Sequence, residues 1–543
     1  MKKYLYNHVK MYNFEKTWDF RYLSDEDIYN VGDYVWVQVD DEELPAIITD
    51  KIWYGEDKVP WPLDKMKKVI RKSSYEEYLK YNEFSILRYV LSRLDKDSKL
   101  PDNFSLDKYR KGKLKFVDGA MDGISVFHSE FSADEELIKD IFDKIRNKDE
   151  NYIKVVKEFD KLLKDRILIP NVVDIRKYAF EHKENDLSSE YIYRLSYIMI
   201  FRGKNPETVK LGIILMSTFE IGKDKDLYYI FNKLALCEEF TEYISSYIFP
   251  FYKDSEKIKF KIAKKVKGWG RVFIIYDMKF DTNEKKKWLL KKGFLNNIDE
   301  GYTATYILSQ LDTKKLILKG SKDDFIYISE IINIAILNEP GAPIDSLKNY
   351  REIFDAYLSV KDSHKGDYKY YATVKNIYQF EGKKYREALD ILESEDCYNT
   401  VKKCITKGDR HSAYNVIDIC QLSKKHDYKN VILERFNKHI VKNGFCLYYL
   451  LRNSETKDQI IKRLNDGLDL VAGFEVDNIS YIDFLRELKN YPLVGLPYVR
   501  EAFRMHLNDV KDQAIWLINY WNDEGAKIPK EFKKYIRTYE NKG

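Results

Sequence analysis

From about residue 150 to residue 525, apolar positions recur at spacings of three and four. Val209, Ile213, Met216 and Phe219 form one stripe, and Leu227, Ile230, Phe231 and Leu234 form the next. Ile258, Ile262, Ala263 and Val266 follow, and later Tyr302, Thr305, Tyr306 and Leu308. Such spacings keep each set on one face of an α-helix. Helix-length stretches follow one another across short breaks, with little strand alternation between them. That succession predicts antiparallel helical hairpins stacked in a line. No strict repeat unit aligns, as is usual for degenerate HEAT-type arrays.

The beginning of the chain has a different rhythm. Tyr34-Val35-Trp36-Val37-Gln38-Val39 and Pro45-Ala46-Ile47-Ile48-Thr49-Asp50-Lys51-Ile52-Trp53 flank the acidic turn Asp40-Asp41-Glu42-Glu43. Two β-branched and aromatic runs around a polar turn predict a β-hairpin. Pro60-Trp61-Pro62 is expected to stop the sheet, because proline cannot donate to a ladder. Ser132-Ala133-Asp134-Glu135 fits a capping box that opens a helix through Ile138, Ile141 and Phe142. The expected organisation is a small β domain at 1–75, a connecting segment at 76–150 that is mixed and then helical, a HEAT-like α-solenoid at 151–525 and a C-terminal tail at 526–543. The fold class is mostly α, with the small β domain at the N-terminus.

Composition narrows the classes. At 543 residues the chain exceeds what one hydrophobic core usually covers. With 44% hydrophobic and 33% charged residues, it is neither wholly disordered nor a membrane protein. No run approaches the roughly 18 uncharged apolar residues of a spanning helix. The opening Met1-Lys2-Lys3-Tyr4-Leu5-Tyr6 lacks the apolar region of a leader, so the expected compartment is the cytoplasm. Cys237, Cys397, Cys404, Cys420 and Cys446 form no CxxC pair and read as buried free thiols.

Two resemblances bear on function. Val31-Gly32-Asp33-Tyr34-Val35 and Val59-Pro60-Trp61-Pro62-Leu63-Asp64-Lys65-Met66-Lys67-Lys68-Val69-Ile70-Arg71-Lys72 resemble the N-terminal DNA-binding domain of primosomal helicases. Residues 1–60, however, carry seven basic against thirteen acidic side chains, a balance that repels phosphate. Further on, Val209-Lys210-Leu211-Gly212-Ile213-Ile214-Leu215, Glu239-Phe240-Thr241-Glu242-Tyr243 and Ala263-Lys264-Lys265-Val266-Lys267-Gly268-Trp269-Gly270-Arg271-Val272 resemble a clostridial (bacterial) family of HEAT-repeat proteins. Trp288-Leu289-Leu290-Lys291-Lys292-Gly293 and Tyr491-Pro492-Leu493-Val494-Gly495, through to Ala514-Ile515-Trp516-Leu517-Ile518-Asn519-Tyr520-Trp521, continue that resemblance. Some members of the family bear the label limonene hydroxylase, which implies an oxygenase.

Oxygen insertion needs a redox centre, and the sequence supplies no motif for one. Gly268-Trp269-Gly270 lacks the third glycine of a dinucleotide loop and follows a helix, so a tight turn with Trp269 packed below it is expected. His128-Ser129-Glu130 and His182-Lys183-Glu184 spell the opening of an iron-binding triad no more often than chance. HExxH, GxSxG and the P-loop are absent. Asp118-Gly119-Ala120-Met121-Asp122-Gly123 is read as a structural double turn with exposed carboxylates, short of a calcium loop in ligand count.

The net charge of +5 names no partner, but its distribution is uneven. Residues 253–292 hold fourteen basic and five acidic side chains. Lys257, Lys261, Lys264 and Lys265, opposite the apolar stripe, and Arg271 are the candidate contacts for a nucleic-acid backbone. Three readings stand. The first is a non-enzymatic scaffold that binds a protein partner through its solenoid, without cofactor or metal. The second is nucleic-acid binding by 253–292, and the third is the oxygenase with no supporting motif.

Overall fold

The computed structural model describes residues 3–10, 20–39, 42–110, 115–129, 133–182, 187–337, 340–382, 385–467 and 477–540. The chain is mostly helical behind a small N-terminal antiparallel sheet, and it divides into two compact units, Met1–Gln310 and Leu311–Gly543.

Unit one begins with five strands: β1 (Lys3–Lys10), β2 (Phe20–Ser24), β3 (Tyr34–Val39), β4 (Glu42–Gly55) and β5 (Val69–Ser73), in the order β2-β1-β4-β3-β5. The expected hairpin is the β3–β4 pair, with Trp36 opposite Pro45 and Val37 opposite Leu44. Alternation puts Val35 and Val37 into a core with Val9, Tyr22, Leu44, Ala46 and Ile48. Asp40 and Asp41 of the acidic turn lie outside the described residues, while Glu42 and Glu43 belong to β4. Pro60-Trp61-Pro62 does not end the sheet. It sits in the connection, where no ladder bond is required, and β5 returns beyond it to pair with β3. The edge strands then meet where the Leu23 N–H donates to the Lys67 carbonyl at 3.0 Å.

Fourteen helices complete the described part of unit one. They are α1 (Tyr75–Tyr81), α2 (Ile86–Arg93), α3 (Ala120–His128), α4 (Glu135–Arg146), α5 (Tyr152–Leu162), α6 (Val172–His182) and α7 (Ser189–Arg202), followed by α8 (Pro206–Met216), α9 (Lys225–Leu234), α10 (Thr241–Tyr247), α11 (Ser255–Ala263), α12 (Trp269–Asp277), α13 (Asn283–Trp288) and α14 (Gly301–Gln310). Neighbours one and two along the chain pack together, as in α5–α7, α7–α8, α8–α10, α10–α12 and α12–α14. This is the contact pattern of stacked hairpins. Residues 76–150, expected as a connecting segment, hold α1–α4, and α2 packs on α7 and α9.

Two local expectations change. The cap of α4 is Asp134, whose carboxylate accepts the Leu137 N–H at 3.0 Å, two positions after Ser132; Ser132 itself lies outside the described residues. Helix α8 has no polar face. All its residues are buried, because neighbours cover it on every side, and Phe219 falls beyond its end.

Unit two repeats the pattern with α15 (Thr313–Lys319), α16 (Lys322–Leu337), α17 (Tyr350–Ser359), α18 (Tyr368–Glu381), α19 (Arg386–Leu392), α20 (Glu395–Lys407) and α21 (Arg410–Leu422). It continues with α22 (Lys429–Lys438), α23 (Leu447–Leu450), α24 (Lys457–Asp466), α25 (Asn478–Glu487), α26 (Leu496–Arg504), α27 (Asn508–Asp523) and α28 (Lys530–Glu540). The α16–α18, α18–α20, α20–α22, α23–α25 and α25–α27 contacts again join every second helix. The expected tail contains α28, and its Phe532 is fully buried. All five cysteines are free and buried. No helix among the described residues is long and apolar enough to cross a membrane.

Candidate functional site

The densest set of ionisable groups lies inside unit one, around Lys210. Asn205 caps α8 by accepting the Glu207 N–H at 3.0 Å, Pro206 opens the helix, and Lys210 follows Glu207 by one turn. The Lys210 side chain is 0% exposed. Its ammonium meets three carboxylates: Asp122 at 2.7 Å, Glu207 at 2.6 Å and Glu239 at 2.7 Å. The Tyr243 hydroxyl donates to Asp122 at 3.1 Å. Beside them Arg110 pairs with Asp118 at 3.0 Å and with Glu239. Backbone donors complete the set: Gly119 N–H to Glu239 at 2.7 Å, Leu106 N–H to Asp118 at 3.1 Å, and Leu168 N–H to Glu207 at 2.8 Å.

Four carboxylates thus face two cations in a largely buried place, with only Arg110 reaching partly to the surface. Buried charge of one sign that exceeds its partner is relieved by taking up protons. Burial, outweighing the pull of Lys210, pushes the Asp122 carboxyl up to about 7, and burial with the nearby Glu239 pushes Asp118 up to about 6. Glu207 is raised by burial as well. Burial would raise Glu239 too, but Lys210, Arg110 and the Gly119 N–H outweigh it and hold that group down to about 2. Glu239 is therefore favoured as the anion of the cluster, while burial shifts Asp122, Asp118 and Glu207 toward their protonated forms.

Helix α3 is fastened at both ends. Gly119 opens it in the left-handed region, at φ 80°, where its N–H reaches Glu239. At its far end Phe127 packs 5.1 Å from Tyr302, and His128 Nε2 lies 2.7 Å from the Tyr302 hydroxyl. In between, Gly123 lies against the indole of Trp269, and a Cβ there would fall 2.2 Å from the ring. The Asp118–Gly123 segment is therefore not a double turn with exposed carboxylates. It is a helix start whose Asp122 is 2% exposed, because Lys210 and Tyr243 bind its carboxylate from within.

Trp269 is buried at the start of α12, as the turn reading expects. Glu238 caps that start, accepting the N–H groups of Lys267, Gly268 and Gly270 at 2.8, 2.8 and 3.1 Å. The Lys210, Glu239 and Trp269 segments, far apart in sequence, converge on this one place.

The basic candidates lie elsewhere. Lys257 and Lys261 are exposed on α11. Lys264 is the residue after α11, stacked 4.1 Å over Phe260 and 3.9 Å from Glu284. Lys265 donates to the carbonyls of Asp97 and Ser98, and Arg271 to those of Lys292 and Leu295. Lys259 and Lys285 of the same stretch are buried against Asp277 and Asp281. Structure thus gathers the five candidates only in part. His182 stacks on Tyr178, while Glu130 and Glu184 lie outside the described residues. Among the described residues no group of three or more His, Cys, Asp or Glu is set to hold a metal ion.

The Lys210 cluster escaped the sequence reading. A lysine inside Val209–Leu215 was its one local signal, and Asp122 is 88 positions away. Neither a family model nor a curated protein matches the chain.

Proposed function

We propose that the chain is a non-catalytic binding or scaffold protein that holds a protein partner on the outer faces of its helices. The supporting observation is apolar exposure on a regular helix face. Val173 and Phe180 stand two turns apart on α6, 67% and 62% exposed. Large apolar side chains held out by a folded helix are what a partner's pocket buries. The acid–base cluster fits the same reading. Its groups are bonded to one another and to backbone, so it braces α3, α8 and α10 and offers no open face to a substrate.

The test is co-purification from the native host with the wild-type chain and with Val173→Glu/Phe180→Glu. The expected outcome is a partner near one per chain that the double variant loses at an unchanged melting temperature. A wild-type chain that retains no stoichiometric partner would sink the reading. Nucleic-acid binding by 253–292 draws less support, since Lys264, Lys265 and Arg271 are engaged within the protein.

A further inference from the structure

A second charged region, on the surface of unit one, is built in the opposite way. Phe84 ends a short 3-10 turn (Asn82–Phe84) between α1 and α2, and its ring is 44% exposed. Three cations surround that ring. Arg88 from α2 lies 5.6 Å from the centroid, Arg202 at the end of α7 lies 5.4 Å away, and Lys204 just beyond it lies 4.7 Å away. None of the three has a carboxylate partner for its side chain among the described residues. Asp160 accepts the backbone N–H groups of Lys204 and Asn205 and is attracted by the Lys204 charge as well. Among the described residues the Nε and Nη2 groups of Arg88 are buried and meet no well-formed hydrogen-bond acceptor, with the Tyr81 hydroxyl the nearest polar partner of this side chain. Arg202 and Lys204 are exposed to solvent. Like charges held this close repel, and an anion placed among them would relieve that cost.

The aromatic surroundings favour one class of anion. Arg88 also lies 4.6 Å over Tyr81, Tyr81 meets Trp36 edge-on at 5.4 Å, and Arg71 lies 5.0 Å over Trp36. Cations and rings thus form one continuous run from the sheet to the end of α7, with Trp36 and Tyr81 between Arg71 and Arg88. At the sheet end Arg71 is neutralised by Glu77, through bonds of 3.0 and 2.6 Å. At the Phe84 end, among the described residues, Arg88, Arg202 and Lys204 make no ion pair, although Asp160 lies near enough to attract Lys204. Flat rings interleaved with cations match a strand whose bases are free to stack and whose phosphates need neutralising. A duplex hides its base faces, and an acidic peptide has none.

We propose that the Phe84 corner, with Arg88, Arg202 and Lys204 around it and Tyr81 and Trp36 leading away, binds single-stranded nucleic acid. Its residues are different from Val173 and Phe180, so the two sets of variants test partner capture and strand binding independently. It is also separate from the 253–292 stretch.

The test is fluorescence anisotropy on the full chain. The probes are a labelled single strand of about 20 nucleotides as DNA and as RNA, the same sequence as a duplex, and polyglutamate. Low-micromolar binding to a single strand at physiological salt is expected, weakening steeply as salt rises. Arg202→Glu/Lys204→Glu should weaken it at least about tenfold, and Phe84→Ala by about fivefold or more. Phe84→Tyr should retain most of the affinity. Should the charge reversal lower the melting temperature, Arg202→Gln/Lys204→Gln carries the same comparison. Lys257→Glu/Lys261→Glu should leave the affinity unchanged. Duplex or polyglutamate bound as tightly as the single strand overturns the proposal. So does loss of binding through Lys257 and Lys261 alone, or a wild-type chain that binds no strand.

Discussion

Removing the Lys210 ammonium would leave Asp122, Glu207 and Glu239 facing one another in a closed space. Lys210→Met is expected to cost about 3–5 kcal/mol in a denaturant titration, the usual penalty for stranding buried charge. Asp122→Asn should behave differently, because Asp122 already holds a proton over part of the neutral range. Its carboxyl, and that of Asp118, bind protons more tightly folded than unfolded. Their stabilising contribution is therefore full below about pH 4 and is lost as pH climbs toward 7. Glu239 runs the other way: its contribution is present above the usual glutamate range and is lost as pH falls toward 2. Melts of wild type and Asp122→Asn between pH 4 and pH 8 should diverge, the variant gaining on the wild type as pH rises. Parallel curves would refute the assignment of the proton to Asp122. None of this was legible in the sequence. A lone lysine in an apolar run reads as a side chain that reaches out to water, and the acids that hold it inward come from other helices.

At the scale of elements the sequence said more, and where it failed the cause is tertiary. The β3–β4 hairpin was legible because one face of each strand is buried and alternation records that. Most helices were legible from their stripes. Helix α8 departs from this, since an element covered all round needs no polar face. Helix α3 was misread because Asp-Gly pairs ordinarily mark turns, whereas here Gly119 gives the close approach to Glu239 and Gly123 clears the Trp269 ring. Gly123→Ala should therefore destabilise unit one by about 1–3 kcal/mol through overpacking. The double variant Gly123→Ala/Trp269→Leu should cost less than the separate losses combined, since shortening the indole makes room for the methyl. Additive losses would show that the two side chains do not meet.

For the whole molecule, the regular succession of helices was legible and the division at residue 310 was not, because the stripes continue across it without a change of period. Every group of the Lys210 cluster, from Arg110 to Tyr243, belongs to unit one. A fragment of residues 1–310 is accordingly expected to melt cooperatively and to repeat the difference between wild type and Asp122→Asn as pH changes. A fragment ending at 236 lacks Glu239, Tyr243 and Trp269 and should fail to do so. The same geometry has a consequence for synthesis. Most helices can pack on neighbours that have just left the ribosome, but Asp122 and Gly123 must wait for Tyr243 and Trp269. At ~5–20 residues per second, the roughly 150 residues between Gly123 and Trp269 take about 8–30 s to emerge. Until then α3 lacks the partners that close over Asp122 and Gly123, and a nascent chain of this protein is most open to chaperones and proteases during the second quarter of its synthesis.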